Sequence, residues 1–382
     1  MNADVNTRIC FVTLEYPPDW GGIATSAQRV VTLLAQAGFE VHVFVPARPG
    51  QGQGGAAPSP VAGVHLYRVA IDKASPEGIV LPFVKALFEA DLRHRFDLFH
   101  GFCLPMAYPC LALPDRGRRP VVASIRGNDA TDMLENAAFS DAIRTVLQKA
   151  SWITSVSSDS LTRAQTVADI SGRASFIGNS IAPSSGARWR PDALNRGVVG
   201  TVCTFRPKKN VPGLIAAYAQ VDAGLRRRLL LVGEGYPGDV ATPAAIARAL
   251  DVHAVGGETE QTGYVDTAAV TQHLLGMNVF ALSSLHEGFP NTLLEAASLG
   301  VPIVATAVDG VKDVYRDVPG ALLVEPDDPV QLARAIEAVL RDPALAQRLS
   351  EQSLAVAARF SREREQMAYV ALYERLLGRV HA

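Results

Sequence analysis

Glu287-Gly288-Phe289-Pro290-Asn291-Thr292-Leu293-Leu294-Glu295 runs through Ala-Ala-Ser-Leu into Gly300-Val301-Pro302. A strand-like run at residues 278–282 precedes this stretch and another at 302–306 follows it. Strand, helix and strand in succession is the repeating unit of a parallel sheet. Leu293, Leu294, Ala297 and Ser298 give the helix a small apolar face. Pro290 suits its first turn, where the missing N–H would have no partner anyway. The free N–H groups of that turn, backed by the helix dipole, form an anion site. Glu295 then lies about one turn in. A carboxylate beside a bound phosphate is electrostatically odd, so Glu295 is expected to accept hydrogen bonds from neutral hydroxyls, as on a ribose. A sugar nucleotide offers both parts.

The same alternation extends outward along the chain. Strand-like runs at 9–14, 41–45, 64–69, 121–125 and 152–156 fill the first half, and 198–203, 229–232, 278–282, 302–306 and 321–324 the second. This predicts an α/β protein of two Rossmann-like, doubly wound parallel-sheet domains. Ligands in such sheets bind beyond the carboxyl ends of the strands, so two facing sheets would frame an interdomain cleft. Residues 182–197 have the Pro, Ser, Gly and Arg content of a linker, which sets domains at 1–182 and 198–360. Residues 48–62, rich in Gly, Pro and Gln, read as a mobile loop. Met367, Val370, Ala371, Tyr373, Leu376 and Leu377 recur at helical spacing in the final stretch.

At about 150 residues per domain, the chain suits two or three domains. Charged residues make up 19% of the chain and apolar residues 48%, with a net charge of −2. Such a chain is soluble and globular, and gives no reason to expect nucleic acid. Cys10, Cys103, Cys110 and Cys203 lack metal-ligand spacing and read as free thiols of a cytoplasmic protein. Residues 1–8 lack a basic segment leading into a long apolar core, so no secretory signal is expected. No apolar run approaches the length of a spanning helix, about 18 residues. Any membrane contact is therefore peripheral. Arg116, Arg118 and Arg119 are expected to be solvated charges, and residues 79–88 core, with a lipid-facing surface as the alternative for both. No Asp-x-Asp occurs and the histidines do not cluster, so neither a metal nor a cofactor is expected.

Glu-Gly-Phe-Pro, then Leu-Glu, then Gly-x-Pro resembles the Glu-x7-Glu signature of the family-four retaining glycosyltransferases, which have the two-domain GT-B fold. The resemblance implies that Glu287 holds the donor sugar and Glu295 the ribose, with Gly288, Phe289, Pro290, Asn291 and Thr292 at the donor. Pro17-Pro18-x-x-Gly21-Gly22-Ile23 looks like the family's N-terminal loop, which sets Gly22 against the donor diphosphate and Gly21 on the acceptor side. The family usually has an Arg some five residues before a Lys-Gly pair. Here Lys209 matches the Lys, Asn210 replaces the Gly, Thr204 occupies the Arg position, and Arg206 substitutes from a shifted one. Gly233 resembles the nucleotide-side turn after the second strand, and Gly263-Tyr264-Val265 the segment over the base. His286 reads as a wall residue.

Arg126 stands where the family commonly has His before a Gly. A structural pair with Asp129 is expected there, the alternative being an anion on the substrate. The resemblance further implies a last helix, about 361–382, packed back on the first domain. It implies transfer from a UDP or GDP sugar to an acceptor hydroxyl of a small molecule, a glycan or a lipid-linked substrate. Sugar-nucleotide epimerisation, C–N coupling without sugar transfer and non-catalytic sugar-nucleotide binding are the alternatives.

Overall fold

The structure is a computed structural model that describes residues 7–19, 21–48, 54–58, 61–72, 74–113, 119–127, 129, 133, 136–182, 186–190, 197–236 and 238–379. Arg116, Arg118, Trp20, and parts of the 48–62 loop and the 182–197 linker lie outside the described residues. The chain splits into two compact units: Met1–Asn179 with Arg362–Ala382, and Ser180–Ser361.

The first unit is built on strands β1 (Arg8–Val12), β2 (Glu40–Pro46), β3 (Gly54–Pro58), β4 (Val64–Val69), β5 (Leu98–Gly101), β6 (Val121–Ile125), β7 (Trp152–Ser155) and β8 (Ala174–Phe176). Their order is β3-β4-β2-β1-β5-β6-β7-β8. All neighbours pair parallel except β3, which runs antiparallel to β4 at the edge. Part of the expected Gly-rich loop is therefore a strand, which corrects the sequence reading. β5 escaped that reading because His100 and Gly101 interrupt its apolar run. His100 is fully buried, and its ring is satisfied by Ser124 Oγ at 2.7 Å and Tyr373 Oη at 2.6 Å. Gly101 admits no side chain, since a Cβ would stand 2.3 Å from the Ala107 backbone.

Tyr373 belongs to the C-terminal helix Arg362–Leu376, whose Tyr369, Leu372 and Tyr373 join the core formed by Ile9, Phe11, Val30, Val31 and Trp152. Glu365 on the same helix accepts both Arg29 Nε (2.7 Å) and an Arg29 terminal nitrogen (3.1 Å). Met367, read as part of the apolar face, instead points outward. The helix Pro76–His94 is likewise amphipathic rather than core throughout: Phe83, Leu87 and Ala90 are buried, while Leu81, Phe88 and Leu92 are exposed.

The expectation that the histidines stay apart does not hold. In the β2–β4 register His42 lies opposite His65. Glu40 stands two residues before His42, on the same face. The end of the Pro76–His94 helix brings His94 within 4.4 Å of the His42 ring. Spacing along the chain gave no sign of this, because strand pairing and a helix end assemble the group.

The second unit holds β9 (Val198–Val202), β10 (Arg228–Val232), β11 (Thr259–Gln261), β12 (Val279–Leu282), β13 (Ile303–Thr306) and β14 (Leu322–Val324). All pair parallel in the order β11-β10-β9-β12-β13-β14. Every residue of β9, β12 and β13 is buried, as expected when helices cover both faces. The strand order reverses between β9 and β12, and a crevice opens at such a reversal beyond the carboxyl ends. The helix Asn291–Leu299 follows β12 and buries Leu293, Leu294, Ala296, Ala297 and Leu299. Truncating Leu293 or Leu294 to Ala would cost about 2–5 kcal/mol. Pro290 is the residue before the helix rather than part of its first turn. Gly300 closes it at φ 76°, a left-handed position where a Cβ would also meet Ser350 Oγ at 2.9 Å.

Candidate active site

The two strands at the reversal each deliver one charge. The loop after β9 forms a short turn, Pro207–Lys209, and the loop after β12 carries Ser283 to Pro290. Ser283 Oγ donates to the carbonyls of Lys209 and Asn210, both at 3.0 Å, and Leu285 N donates to the Lys208 carbonyl at 2.8 Å. Thr306 Oγ1, at the end of β13, holds the Ser284 carbonyl at 2.5 Å. Pinned this way, Lys209 Nζ meets Glu287 Oε1 at 2.5 Å, and Ser284 Oγ donates to the same oxygen at 2.6 Å.

The Glu287 side chain is 5% exposed and that of Lys209 17%. Burial by itself would lift the Glu287 carboxyl, but the Lys209 ammonium and the Ser284 hydroxyl outweigh it and hold the group below its usual range. Burial also works against the Lys209 charge, and Glu287 outweighs that too, raising the ammonium above its usual range. The pair is ionised, preorganised and largely dry.

Asn210 explains its own departure from the resembling pattern. Its φ of 47° is left-handed, where Gly is the default residue and Asn the best-tolerated side chain. Its Oδ1 then caps the next helix by accepting Gly213 N at 3.2 Å. Arg206 Cζ stands over the Tyr236 ring, 4.0 Å from its centroid, and its buried Nε lacks a hydrogen-bond partner among the described residues. Gly233 sits at φ 125°, where a Cβ would meet the Cys203 carbonyl oxygen at 2.0 Å. Glu295 is half-buried on the helix that begins at Asn291, one turn in as expected.

Gly288 and Phe289 are held from below. Gly310 N donates to the Glu287 carbonyl at 3.1 Å, and a Cβ on Gly310 would stand 2.4 Å from the Gly288 carbonyl. His286 Nδ1 pairs with Asp309 Oδ2 at 3.1 Å, which makes it more than a wall residue. Ser283, Ser284, Thr306 and Gly310 escaped the sequence reading. Only the position of Ser283, Ser284 and Thr306 at the ends of neighbouring strands, and of Gly310 in the helix after β13, marks them.

In the first unit, Gly21 caps the helix Gly22–Gln36 at φ 131°, with Glu15 Oε2 3.4 Å from where a Cβ would be. The expected pair of the Arg126 side chain with Asp129 is replaced by something else. The Asp129 carboxylate accepts the backbone N–H groups of Arg126, Gly127 and Leu104 at 2.9–3.1 Å. The Arg126 guanidinium donates to Asn179 Oδ1 at 2.6 Å and covers the Phe102 ring at 4.2 Å. Asn179 Oδ1 also accepts Arg29 at 2.8 Å, so two guanidinium groups converge near one carboxylate, that of Glu365.

Two doubly wound sheets, one presenting a buried cation–carboxylate pair beside a helix tip at its strand-order reversal, define the GT-B class. A family model described as Glycosyltransferase Family 4 matches residues 20–185, and one described as Glycosyl transferases group 1 matches residues 196–342. The chain belongs to the family-four glycosyltransferases. A lipopolysaccharide core biosynthesis glycosyltransferase of Rhizobium meliloti, LpsE, is 34% identical over 119 residues, which span 31% of this chain and 34% of that relative. Among solved structures, sucrose-phosphate synthase from Thermosynechococcus elongatus is similar with a TM-score of 0.83 at 20% identity, over 98% of this chain and 100% of that one. Anabaena HepE, solved in complex with UDP, gives 0.78 at 16% identity over 96% and 100%. At such identities the likeness is one of fold. Among the described residues, no helix is long and apolar enough to cross a membrane.

Proposed function

We propose that this chain is a cytoplasmic retaining glycosyltransferase. It moves a sugar from a UDP or GDP sugar to an acceptor hydroxyl, with no divalent ion at the donor. The buried Lys209–Glu287 pair at the β9/β12 reversal carries this reading. A diphosphate arriving at the Asn291 helix tip competes with Glu287 for the Lys209 ammonium. Once released, the carboxylate accepts hydrogen bonds from the sugar hydroxyls. Departure of the diphosphate leaves an oxocarbenium-like sugar and places new charge on the leaving oxygen. Lys209, Arg206 and the helix-tip N–H groups stabilise that charge, since fixed donors contribute most where charge develops. The acceptor hydroxyl attacks from the face the phosphate leaves and gives its proton to that phosphate. Glu287 is then no nucleophile.

Glu295 takes the ribose hydroxyls, and Gly22, Gly233, Gly288, Phe289, Pro290, Asn291 and Thr292 line the donor. Gly21, Arg126 and Asp129 serve the acceptor side, for a small-molecule, glycan or lipid-linked acceptor. The cytoplasmic assignment rests on the free thiols of Cys10, Cys103, Cys110 and Cys203. A thermal-shift screen of nucleoside diphosphate sugars tests the reading, because a ligand at 100 times its dissociation constant stabilises by about 2.7 kcal/mol. Stabilisation by one UDP or GDP sugar supports it. A flat response to every such sugar overturns it.

A further inference from the structure

We propose that Glu40, His42 and His65 form a binding site for one divalent transition-metal ion, of the zinc type, at the amino ends of β2 and β4. Their ligand atoms all lie within 4.8 Å of one another. Glu40 Oε1 is 3.1 Å from His42 Nε2 and 3.3 Å from His65 Nε2. With zinc–ligand bonds of about 2.0–2.1 Å, neighbouring ligands of a tetrahedral site stand roughly 3.3–3.4 Å apart. Two of the three edges thus already match a filled coordination sphere.

The second ring nitrogen of His42 has the partner a metal ligand needs. His42 Nδ1 is 3.1 Å from Tyr67 Oη, which is itself 3.1 Å from His94 Nε2. Without an ion, Nε2–H donates to Glu40 Oε1 and Nδ1 accepts from the tyrosine; on binding, the ion would replace the Nε2 proton, and the ring would then donate Nδ1–H to the tyrosine, whose hydroxyl would donate to His94. Outer partners of this kind fix the tautomer and orientation of ligating histidines. The ring of His42 is also wedged between His65 at 4.5 Å and His94 at 4.4 Å.

The site is closed on one side and open on the other. His42 is fully buried, whereas the His65 side chain is 41% exposed, which leaves room for a fourth ligand from solvent. Two imidazoles and a carboxylate with one open position suit zinc, nickel or copper rather than calcium or magnesium. Arg8 Nε occupies the other carboxylate oxygen, Glu40 Oε2, at 3.2 Å. That cation weakens the site without blocking Oε1, and sets the expected affinity at micromolar rather than tighter. The ion would fasten the β2–β4 edge beneath the end of the Pro76–His94 helix. It would sit at the opposite end of these strands from the Gly21 loop, and take no part in sugar transfer.

Titration calorimetry of the chelator-stripped full chain with zinc ion alone, near pH 7.5, tests the proposal. One ion per chain is expected in the wild type. Affinity should fall at least tenfold in His65→Ala, whose half-exposed ring can be removed without opening the core, and in Glu40→Gln. Cobalt ion should give visible bands of a low-coordinate site in the wild type and lose them in both variants, with the folds checked by circular dichroism. No zinc bound by the wild type at 100 times micromolar, or binding unchanged in both variants, overturns the proposal. In either case the ring cluster would be a hydrogen-bonded network only.

Discussion

Replacing Lys209 by Ala tests the energetics of the site apart from its chemistry. The substitution strands the Glu287 carboxylate, 5% exposed, beside Ser284 Oγ at 2.6 Å as its remaining side-chain donor. Removing one partner of a buried ion pair costs about 3–5 kcal/mol. The Ser284 bond survives, and Lys209 is itself 17% exposed. The lower end of that range, about 3 kcal/mol at pH 7, is therefore expected. The sign with pH follows from the wild-type shift. Glu287 is held below its usual range, so its contribution is present above the unfolded value and lost as pH falls through the folded one. In Lys209→Ala burial prevails and the carboxyl rises, so the deficit is full at high pH and shrinks on acidification toward the unfolded value, about 4.3.

A chain of two units need not unfold in one step, so local stability is best read by native-state hydrogen exchange of the β9 and β12 amides at pH 5 and pH 7. Glu287→Gln added to Lys209→Ala should restore most of the loss, since no buried charge is then left alone. A deficit at pH 7 below about 0.5 kcal/mol, the size of an ordinary surface change, would refute the reasoning. So would a deficit independent of pH.

Glu295→Ala should weaken free nucleoside diphosphate and donor sugar alike by about 1.5–3 kcal/mol, the value of a hydrogen bond to a charged group; unchanged affinity by calorimetry removes Glu295 from the site. Gly233→Ala forces a Cβ to within 2.0 Å of the Cys203 carbonyl oxygen at φ 125°. A loss of at least about 1–3 kcal/mol is expected in thermal unfolding. A wild-type melting temperature would mean that this turn is not held as described. Asn210→Gly should cost only a few tenths of a kcal/mol, because Gly suits φ 47° and caps nearly as well. Asn210→Val should cost well over about 1 kcal/mol, and equal stability of the two variants would contradict the left-handed assignment.

Strands with β-branched runs, such as Val64–Val69 and Val121–Ile125, were legible in the sequence to the residue. Burial on both faces produces that composition directly. The strands that escaped are short, interrupted or masked by composition: Thr259–Gln261 and Ala174–Phe176 have three residues each at a sheet edge, Leu98–Gly101 contains a buried, bonded histidine, and Gly54–Pro58 lies in a Gly- and Pro-rich stretch. At the site, Glu287 and Lys209 could be read because each sits in a local motif. Their pairing could not, since Ser283 and Thr306, which enforce it, carry no pattern of their own. Arg126 shows the same limit. The three-residue spacing to Asp129 suggested a side-chain pair, but the carboxylate turned to the backbone N–H groups of its own loop and the guanidinium to Asn179, 53 positions away. The Glu40–His42–His65 group was invisible for a related reason, because it exists only once β2 and β4 are in register.

The central claim is best tested by the product itself. The full chain is incubated with the UDP or GDP sugar that stabilises it most and with a panel of hydroxylated acceptors, in excess chelator and well below its unfolding temperature. The anomeric linkage of the product is then read by NMR. The account predicts a glycoside with the donor's anomeric configuration, formed at the same rate with and without chelator. An inverted linkage, loss of transfer in chelator, or conversion of the donor without any acceptor would contradict it.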